Sequence, residues 1–246
     1  MEVHQHTHTP RKKFTHYVWE FLMLFLAVFC GFLAENFRET YIEHQREKQF
    51  VLSVAEDLRR DIYDLDSLLE YRQKRKVRID SLFLLLNSPD PNVYGKDIYY
   101  YARVLPFKST FINNDRTIQE LKNSGNFRLI SKQKVSDTIM YYNQLVRSFD
   151  LYYTREEALT ENYIAMLSDY FDSRVFNEMA NDSPTFQNRP SGNPPLLNTE
   201  KIHLQKLLMA IHFFKVVNMA IIFRQNRLKS QAESLLQFIQ KEYQLK

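Results

Sequence analysis

Residues 37 to 86 contain a series of positions that would lie on one face of a helix. The spacing between these positions alternates between four and three residues. This spacing predicts a single long helix that ends before Ser88-Pro89-Asp90-Pro91. The run from Val51 to Leu69 is apolar and predicts a packed seam, whereas polar stripe positions such as Arg72 and Lys76 predict exposure or fraying. The stripe comprises Phe37, Tyr41, His44, Lys48, Val51, Ala55, Leu58, Ile62, Leu65, Leu69, Arg72, Lys76, Ile79, Phe83 and Leu86.

Proline positions show where other long helices are permitted. Proline is absent from residues 11–88, 107–183 and 196–246, and it costs a helix interior about 3 kcal/mol. We find no alternating apolar run bounded by Asn-Gly or Asp-Gly turns, which would be the signature of a hairpin. The sequence therefore predicts an all-α fold.

Capping residues place further helix ends. Asn114 or Asp115 is expected to begin a short helix, and Gly125 to end it in the left-handed conformation that glycine adopts readily. Ser131 is expected to cap the next helix, whose apolar face extends toward Phe171. These helices and the last one would form a bundle.

The chain's clearest loop, 181–198, precedes a final helix that begins at Thr199. The centre of this helix, Leu207 to Phe223, is apolar enough to suggest a second membrane span. A histidine, a lysine and an asparagine lie inside it, however, and lysine alone costs about 3 kcal/mol at the centre of a bilayer. We therefore interpret it as a buried bundle helix.

An apolar segment near the N-terminus predicts a membrane anchor. Phe21 to Ala34 contains no charge, and the apolar stretch extends from Tyr17 to Phe37, long enough to cross a hydrocarbon core of about 30 Å. Cleavage as a signal peptide after Ala34 would place bulky Phe32 where a small residue is needed. A buried core helix is the other alternative.

The predicted organisation has three parts. Residues 1–16 form a short tail rich in histidine and basic residues, 17–37 form the transmembrane helix, and 38–246 form a helical domain. Three basic residues precede the span and three follow it (Arg38, Arg46 and Lys48), but Arg11, Lys12 and Lys13 are contiguous and favour a cytoplasmic tail. The sequence then predicts a single-pass protein of the inner membrane with a periplasmic C-terminal domain.

Composition excludes some functions. The 246 residues are 44% hydrophobic and 25% charged, with a net charge of only +4, which favours a folded domain and argues against nucleic-acid binding. Cys30 is the only cysteine, so an intrachain disulfide and a cysteine-based zinc site are excluded.

Candidate metal ligands occur in the tail, where His4, His6 and His8 alternate and could hold Zn, Cu or Ni. The alternative is a solvated tail, because no fourth ligand is visible. We predict no other cofactor.

Two further groups could carry chemistry. The basic run Arg72 to Arg78 could hold an anionic partner, although a solvated helix face is the favoured interpretation. The tyrosine pairs are expected to lie in the core, and adjacent Glu156 and Glu157 should point apart on a helix and form no catalytic dyad.

Phosphate-loop, dinucleotide, nucleophile-elbow and zinc-protease motifs are absent from the sequence, so no enzyme is predicted.

Two blocks carry a resemblance to known proteins. YVWEFLMLFLAVFCGFLAEN at the anchor and NDRTIQELKNSGNFRLISKQKVSDTIMYY in the domain resemble an uncharacterised family of single-span membrane proteins of Bacteroidota. The resemblance covers residues 1 to about 150. It implies an inner-membrane anchor with a helical domain, and it brings no functional residue.

Two functional hypotheses remain open. The first is a membrane-anchored interaction or scaffold protein that contacts other proteins or itself. The second is an extracytoplasmic, sensory-type domain that binds a ligand between helices and acts through a partner.

Overall fold

The computed structural model describes residues 14–181 and 188–245, and these residues are all-α, as the sequence predicted. They contain no strand. The helices are α1 (Phe14–Leu86), α2 (Gly95–Val104), α3 (Arg116–Asn123), α4 (Gln133–Arg147), α5 (Asp150–Leu167), α6 (Ser173–Glu178) and α7 (Lys201–Tyr243). Two short 3₁₀ helices, Pro91–Tyr94 and Asn126–Leu129, connect α1 to α2 and α3 to α4.

Helix α1 ends at the residue that the four-three stripe predicted. After Leu86 the chain turns, and the carboxylate of Asp90 accepts a hydrogen bond of 3.1 Å from the backbone N–H of Asn92. Proline at position 91 is tolerated at the start of the following turn, because that position has no intrahelical hydrogen bond to lose. The chain divides into two compact units, residues 1–50 and 51–246.

The described part of the first unit is one exposed apolar helix. Its most apolar 18-residue window has a mean hydropathy of 2.0 and no buried residue. Trp19 is 65% exposed and Phe25 56% exposed. By length and composition this helix could cross a membrane.

A second helix, α7, also has the length and composition to cross a membrane. In its most apolar 18-residue stretch, however, 44% of the residues are buried inside the structure. It packs against α4 and α5. Ion pairs from Asp66 to Lys229 (2.5 Å) and from Asp80 to Lys215 (2.7 Å) show that α7 runs antiparallel to α1.

The core of the second unit lies where α1, α2, α5 and α7 meet. Tyr99 and Tyr163 are fully buried there, and Tyr99 contacts Phe171 edge to face at 5.0 Å between ring centroids. Burying large rings of this kind is the main favourable contribution to such a core. Its central aliphatic members are Ile79, Leu82, Leu86, Ile98, Leu204, Leu207, Leu208 and Ile211.

Several local expectations need correction. Helix α4 begins at Gln133 with Lys132, not Ser131, at its N-cap. The helix is interrupted at Ser148. Helices α4 and α5 are therefore separate, rather than one helix that continues toward Phe171. Asp115 does occupy the N-cap of α3, but its carboxylate binds the side chain of Gln119 at 2.8 Å instead of a backbone N–H. At Asp115 a contact with the side chain of Gln119 thus replaces the expected bond to the backbone.

The end of α3 is as predicted, because Gly125 has a φ of +68°. A Cβ added there would meet no heavy atom within 4 Å. The need for glycine is therefore a matter of backbone conformation alone, since residues with a side chain rarely adopt positive φ.

We expect Gly125→Ala to destabilise the domain by about 1 kcal/mol or somewhat more, because alanine is strained at this φ. The urea midpoint, followed by circular dichroism in a non-ionic detergent, measures the change. Gly125→Asn is the matched control and should lose less, since asparagine tolerates this conformation better. Equal midpoints for all three proteins would contradict the assignment.

Candidate functional site

The loop between α2 and α3, residues 105–115, is held by side chains of α1. The hydroxyl of Tyr71 donates to the carbonyl of Phe107 at 2.7 Å. Arg72 donates to the carbonyl of Ser109 at 2.7 Å, and Arg75 to the carbonyl of Leu105 at 3.1 Å. The loop carbonyls thus obtain partners that a loop cannot supply for itself.

Both arginines also bind one carboxylate beneath this loop. Arg72 forms two hydrogen bonds to Glu156 of α5, with Nη1 to Oε1 at 2.5 Å and Nη2 to Oε2 at 3.0 Å. Arg75 donates from Nη1 to the same Oε1. All three side chains are at most 2% exposed. We call Arg72, Arg75 and Glu156 the arginine cluster.

The cluster reaches α7 through Asn218, which is fully buried. Its Nδ2 donates to the backbone carbonyl of Arg72 at 3.2 Å, and its Oδ1 accepts from Arg72 at 3.4 Å. The guanidinium of Arg75 lies over the ring of Phe214 at 5.5 Å from the centroid. One cluster therefore joins α1, α5, α7 and the loop.

The electrostatics of the cluster leave excess positive charge. Burial by itself would raise the pKa of Glu156, but the hydrogen bonds and charges of Arg72 and Arg75 outweigh it and hold that pKa below its ordinary value of 4.5. One carboxylate then neutralises one of two guanidinium groups, which are effectively always charged. The two guanidinium groups and one carboxylate therefore give the buried cluster a net charge of about +1.

Hydrogen bonding within the cluster is incomplete. The Nε–H groups of Arg72 and Arg75 are buried and have no hydrogen-bond partner among the described residues. Each unpaired buried donor costs about 1 to 3 kcal/mol. The cluster therefore specifies how the helices and the loop meet at a cost in stability, which is a known use of buried polar groups.

A second polar layer holds the far end of the loop. Asp61 of α1 accepts from the backbone N–H of Asn114 at 2.7 Å and from the hydroxyl of Tyr142 at 2.7 Å. Asp57 accepts from the hydroxyl of Thr117 at 2.5 Å. Burial raises the pKa of Asp61 although these hydrogen bonds oppose the shift. Both ends of the loop are thus attached to α1.

A groove of about 450 Å³ opens beside the arginine cluster, between α1 and the loop. Its lining combines cations with two aromatic rings and two serine hydroxyls. Lys74 pairs with Glu70 at 2.6 Å, and Lys108 pairs with the half-exposed Glu157. We call it the cationic groove; it is lined by Ser67, Glu70, Tyr71, Lys74, Arg78, Phe107, Lys108 and Ser109.

A separate surface feature lies on α7. Five apolar side chains lie three or four residues apart over two heptads of this helix. Each of them is between 41% and 66% exposed. The first of them, Met209, also lines a groove of about 280 Å³ with Phe83 and His212. We call these side chains the α7 stripe: Met209, Phe213, Val216, Met219 and Phe223.

The structure corrects the interpretation of the basic run Arg72 to Arg78 as a solvated helix face. Arg72 and Arg75 are buried, although Lys74 of the same run is 64% exposed. The position of Arg72 on the four-three stripe was a signal for burial. Its partner Glu156 lies 84 residues away, and no local pattern could identify it.

The remaining candidates have mixed outcomes. Glu156 is 1% exposed and Glu157 54% exposed, so the two carboxylates point apart as predicted. Tyr99 and Tyr142 lie in the core, whereas Tyr141 is 40% exposed. The candidate metal ligands His4, His6 and His8 lie outside the described residues. Within 14–181 and 188–245, no group of three or more potential ligands could hold a metal ion.

The chemistry available to the arginine cluster is limited. Both oxygens of Glu156 accept from guanidinium groups, and its lowered pKa makes it a weak base. A general acid or base needs a pKa near the working pH and access to its substrate. The cluster therefore suits positioning of the loop rather than proton transfer.

Comparison with protein-family models, with curated proteins and with solved structures gives no match to this chain.

We expect Glu156→Gln to destabilise the domain by about 3 to 5 kcal/mol, because two buried guanidinium groups lose their counter-charge. Glu157→Gln is the matched control, and its surface ion pair with Lys108 should contribute at most about 1 kcal/mol. Urea unfolding followed by circular dichroism compares the variants. Similar midpoints for the two would show that the buried carboxylate is not needed.

The pH dependence provides a second check on the same pair. A carboxylate whose pKa is lowered on folding stabilises the protein above its ordinary pKa and loses that contribution as pH falls through the folded pKa. The difference between the unaltered protein and Glu156→Gln should therefore be greatest at neutral pH and narrow below about pH 4.5. A difference that is constant with pH would contradict this role.

Proposed function

We propose that this chain is a membrane-anchored helical interaction protein that binds an amphipathic helix of another protein on the α7 stripe. The observation that carries the proposal is the exposure of five large apolar side chains on one face of a helix whose opposite face is buried. A continuous apolar face of this kind marks an interaction surface.

Charge indicates the chemistry of the partner. Between residues 201 and 232, α7 contains six basic residues and no acidic residue. A helix with apolar side chains at heptad spacing and glutamate or aspartate at the flanking positions would complement both the stripe and this charge. A second copy of α7 would bring like charges together, which disfavours self-association through this face.

The stripe favours a helix over a lipid surface. It is narrow, with two apolar positions per heptad, as in a coiled-coil seam; a helix that lies in a bilayer surface has a broad apolar face.

The groove at the start of the stripe supports this proposal. Phe83 of α1 and Leu208 and Met209 of α7 are its apolar lining residues. Interfaces are commonly centred on one large side chain inserted in a pocket. A leucine or phenylalanine of the partner helix would fill this space.

A membrane anchor in residues 17–37 would bring the interaction to a membrane. We propose that residues 17–37 cross the inner membrane with the tail in the cytoplasm, so that the domain and the α7 stripe are periplasmic. The basic cluster Arg11 to Lys13 supports this orientation. Partners would then be other periplasmic or membrane proteins.

Topology can be tested directly. We expect protease added to intact spheroplasts to digest an epitope placed after Lys246, because the domain lies outside the cytoplasm. A cytoplasmic protein serves as the control for intactness. Protection of the epitope in spheroplasts, with digestion only after lysis, would reverse the orientation.

Binding can be tested with designed peptides and the full chain in a non-ionic detergent. The first peptide has about three heptads with leucine in the seam and glutamate at the flanks, and the second replaces glutamate with lysine. By fluorescence anisotropy we expect the acidic peptide to bind at least about tenfold more tightly, because its flanks match the charge of α7.

Variants locate the binding surface. Phe213→Gln combined with Phe223→Gln should abolish binding of the acidic peptide, because both side chains belong to the stripe. Leu151→Gln is the matched control, since Leu151 is an apolar residue of α5 that is 73% exposed. Equal binding of the two peptides, or binding retained by the double variant, would overturn the proposal.

A single labelled position distinguishes the other occupants. In a Cys30→Ser background, Val216→Cys provides one thiol on the stripe. With a fluorophore attached there, strong quenching by brominated lipids in nanodiscs would indicate a bilayer surface. Efficient disulfide formation between two unlabelled copies would indicate a second copy. Either result would overturn the choice of a partner helix.

A further inference from the structure

The cationic groove has the features of a binding site that is separate from the α7 stripe. We propose that it binds a small organic anion, one that carries a carboxylate or phosphate group on a flat apolar body. Its volume of about 450 Å³ lies in the range of small-molecule sites.

Charge defines the polar end of the ligand. Lys74, Arg78 and Lys108 contribute three positive charges to the lining, and Glu70 contributes one negative charge. The buried arginine cluster adds its own excess positive charge close by. Burial and the charges of Arg75 and Arg72 lower the pKa of Lys108, while Glu156 opposes the shift. An anion in the groove would relieve this repulsion between like charges.

Arg78 is the residue most available to a ligand. Lys74 and Lys108 have carboxylate partners on the protein, whereas Arg78 has no hydrogen bond or ion pair among the described residues. A guanidinium group presents paired N–H donors that match a carboxylate or phosphate. Arg78 would therefore make the primary contact with the anion.

Two rings define the apolar end. Tyr71 of α1 and Phe107 of the loop both line the groove, and the hydroxyl of Tyr71 donates its hydrogen bond to the carbonyl of Phe107. The rings therefore offer apolar surface to the groove. The hydroxyls of Ser67 and Ser109 can satisfy further polar atoms of the ligand.

Occupancy of the groove would affect the loop. Lys108 and Ser109 belong to it, and the carbonyl of Ser109 is held by Arg72 of the arginine cluster. A ligand that contacts both α1 and Lys108 adds a link between them. Hydrogen exchange in residues 105–115 should therefore slow when the ligand binds, because exchange there requires the loop to open.

The test uses five probes with the full chain in a non-ionic detergent: benzoate, phenyl phosphate, inorganic phosphate, glycerol phosphate and uncharged benzyl alcohol. Isothermal titration measures binding. We expect benzoate or phenyl phosphate to bind at least about tenfold more tightly than benzyl alcohol and inorganic phosphate, because only they carry both the charge and the ring. The stronger of the two identifies the anionic group.

Variants place the probe in the groove. Arg78→Gln should weaken binding of the stronger probe by about tenfold or more. Lys76→Gln is the matched control on the same helix, outside the groove lining, and should bind as the unaltered protein does. Slower hydrogen exchange in residues 105–115 with the probe, lost in Arg78→Gln, would support the proposal by a readout that a structural role alone would not change.

Three results would overturn the proposal. One is equal binding of benzyl alcohol and the charged probes. Another is undiminished binding by Arg78→Gln. The third is binding that appears only for a soluble lipid headgroup, glycerol phosphate, and for none of the aromatic anions, which would indicate a phospholipid as the source of the anion. The peptide experiments on α7 are independent of all three.

Discussion

The carboxylate of Glu156, placed between Arg72 and Arg75, is the interaction on which the arrangement of the domain depends. It lies on α5, its partners lie on α1, and Arg72 also contacts Asn218 of α7 and the carbonyl of Ser109. Charges are costly to remove from water, so each of these elements must be in place before the others are satisfied. An apolar core could tolerate small shifts between helices; this cluster restricts them.

The same cluster explains the position of the loop after α2. Its carbonyls at Leu105 and Ser109 bind buried guanidinium groups, and Asn114 binds Asp61 at the other end. A loop held in this way forms a stable wall for the cationic groove. The excess positive charge beneath that wall would favour the anion proposed for the groove. Packing and the proposed recognition would then share one set of side chains.

Helix α7 is packed in the core on one face and exposed on the other. One face supplies Leu207, Ile211 and Phe214 to the core, while the α7 stripe on the other face remains open. Apolar composition on both faces made the helix resemble a membrane span in sequence. Its buried Asn218 donates a hydrogen bond to the backbone carbonyl of Arg72, as expected of a helix that packs inside a bundle with buried polar groups. The exposed stripe and the absence of acidic residues between 201 and 232 are the two properties of α7 on which the proposed acidic partner helix rests.

The sequence alone determined the class of the fold and the C-terminal ends of α1 and α3. Helical spacing, proline positions and the left-handed glycine at 125 are local properties, and α1 to Leu86 and the end of α3 follow from them. The apolar segment likewise predicted a helix able to cross a membrane. Tertiary structure decided the rest. Burial of Arg72 and Arg75, their shared partner Glu156, and the break at Ser148 depend on contacts between residues far apart in sequence. Such contacts leave no periodic signal, because charge and hydropathy along the chain do not specify which residues meet.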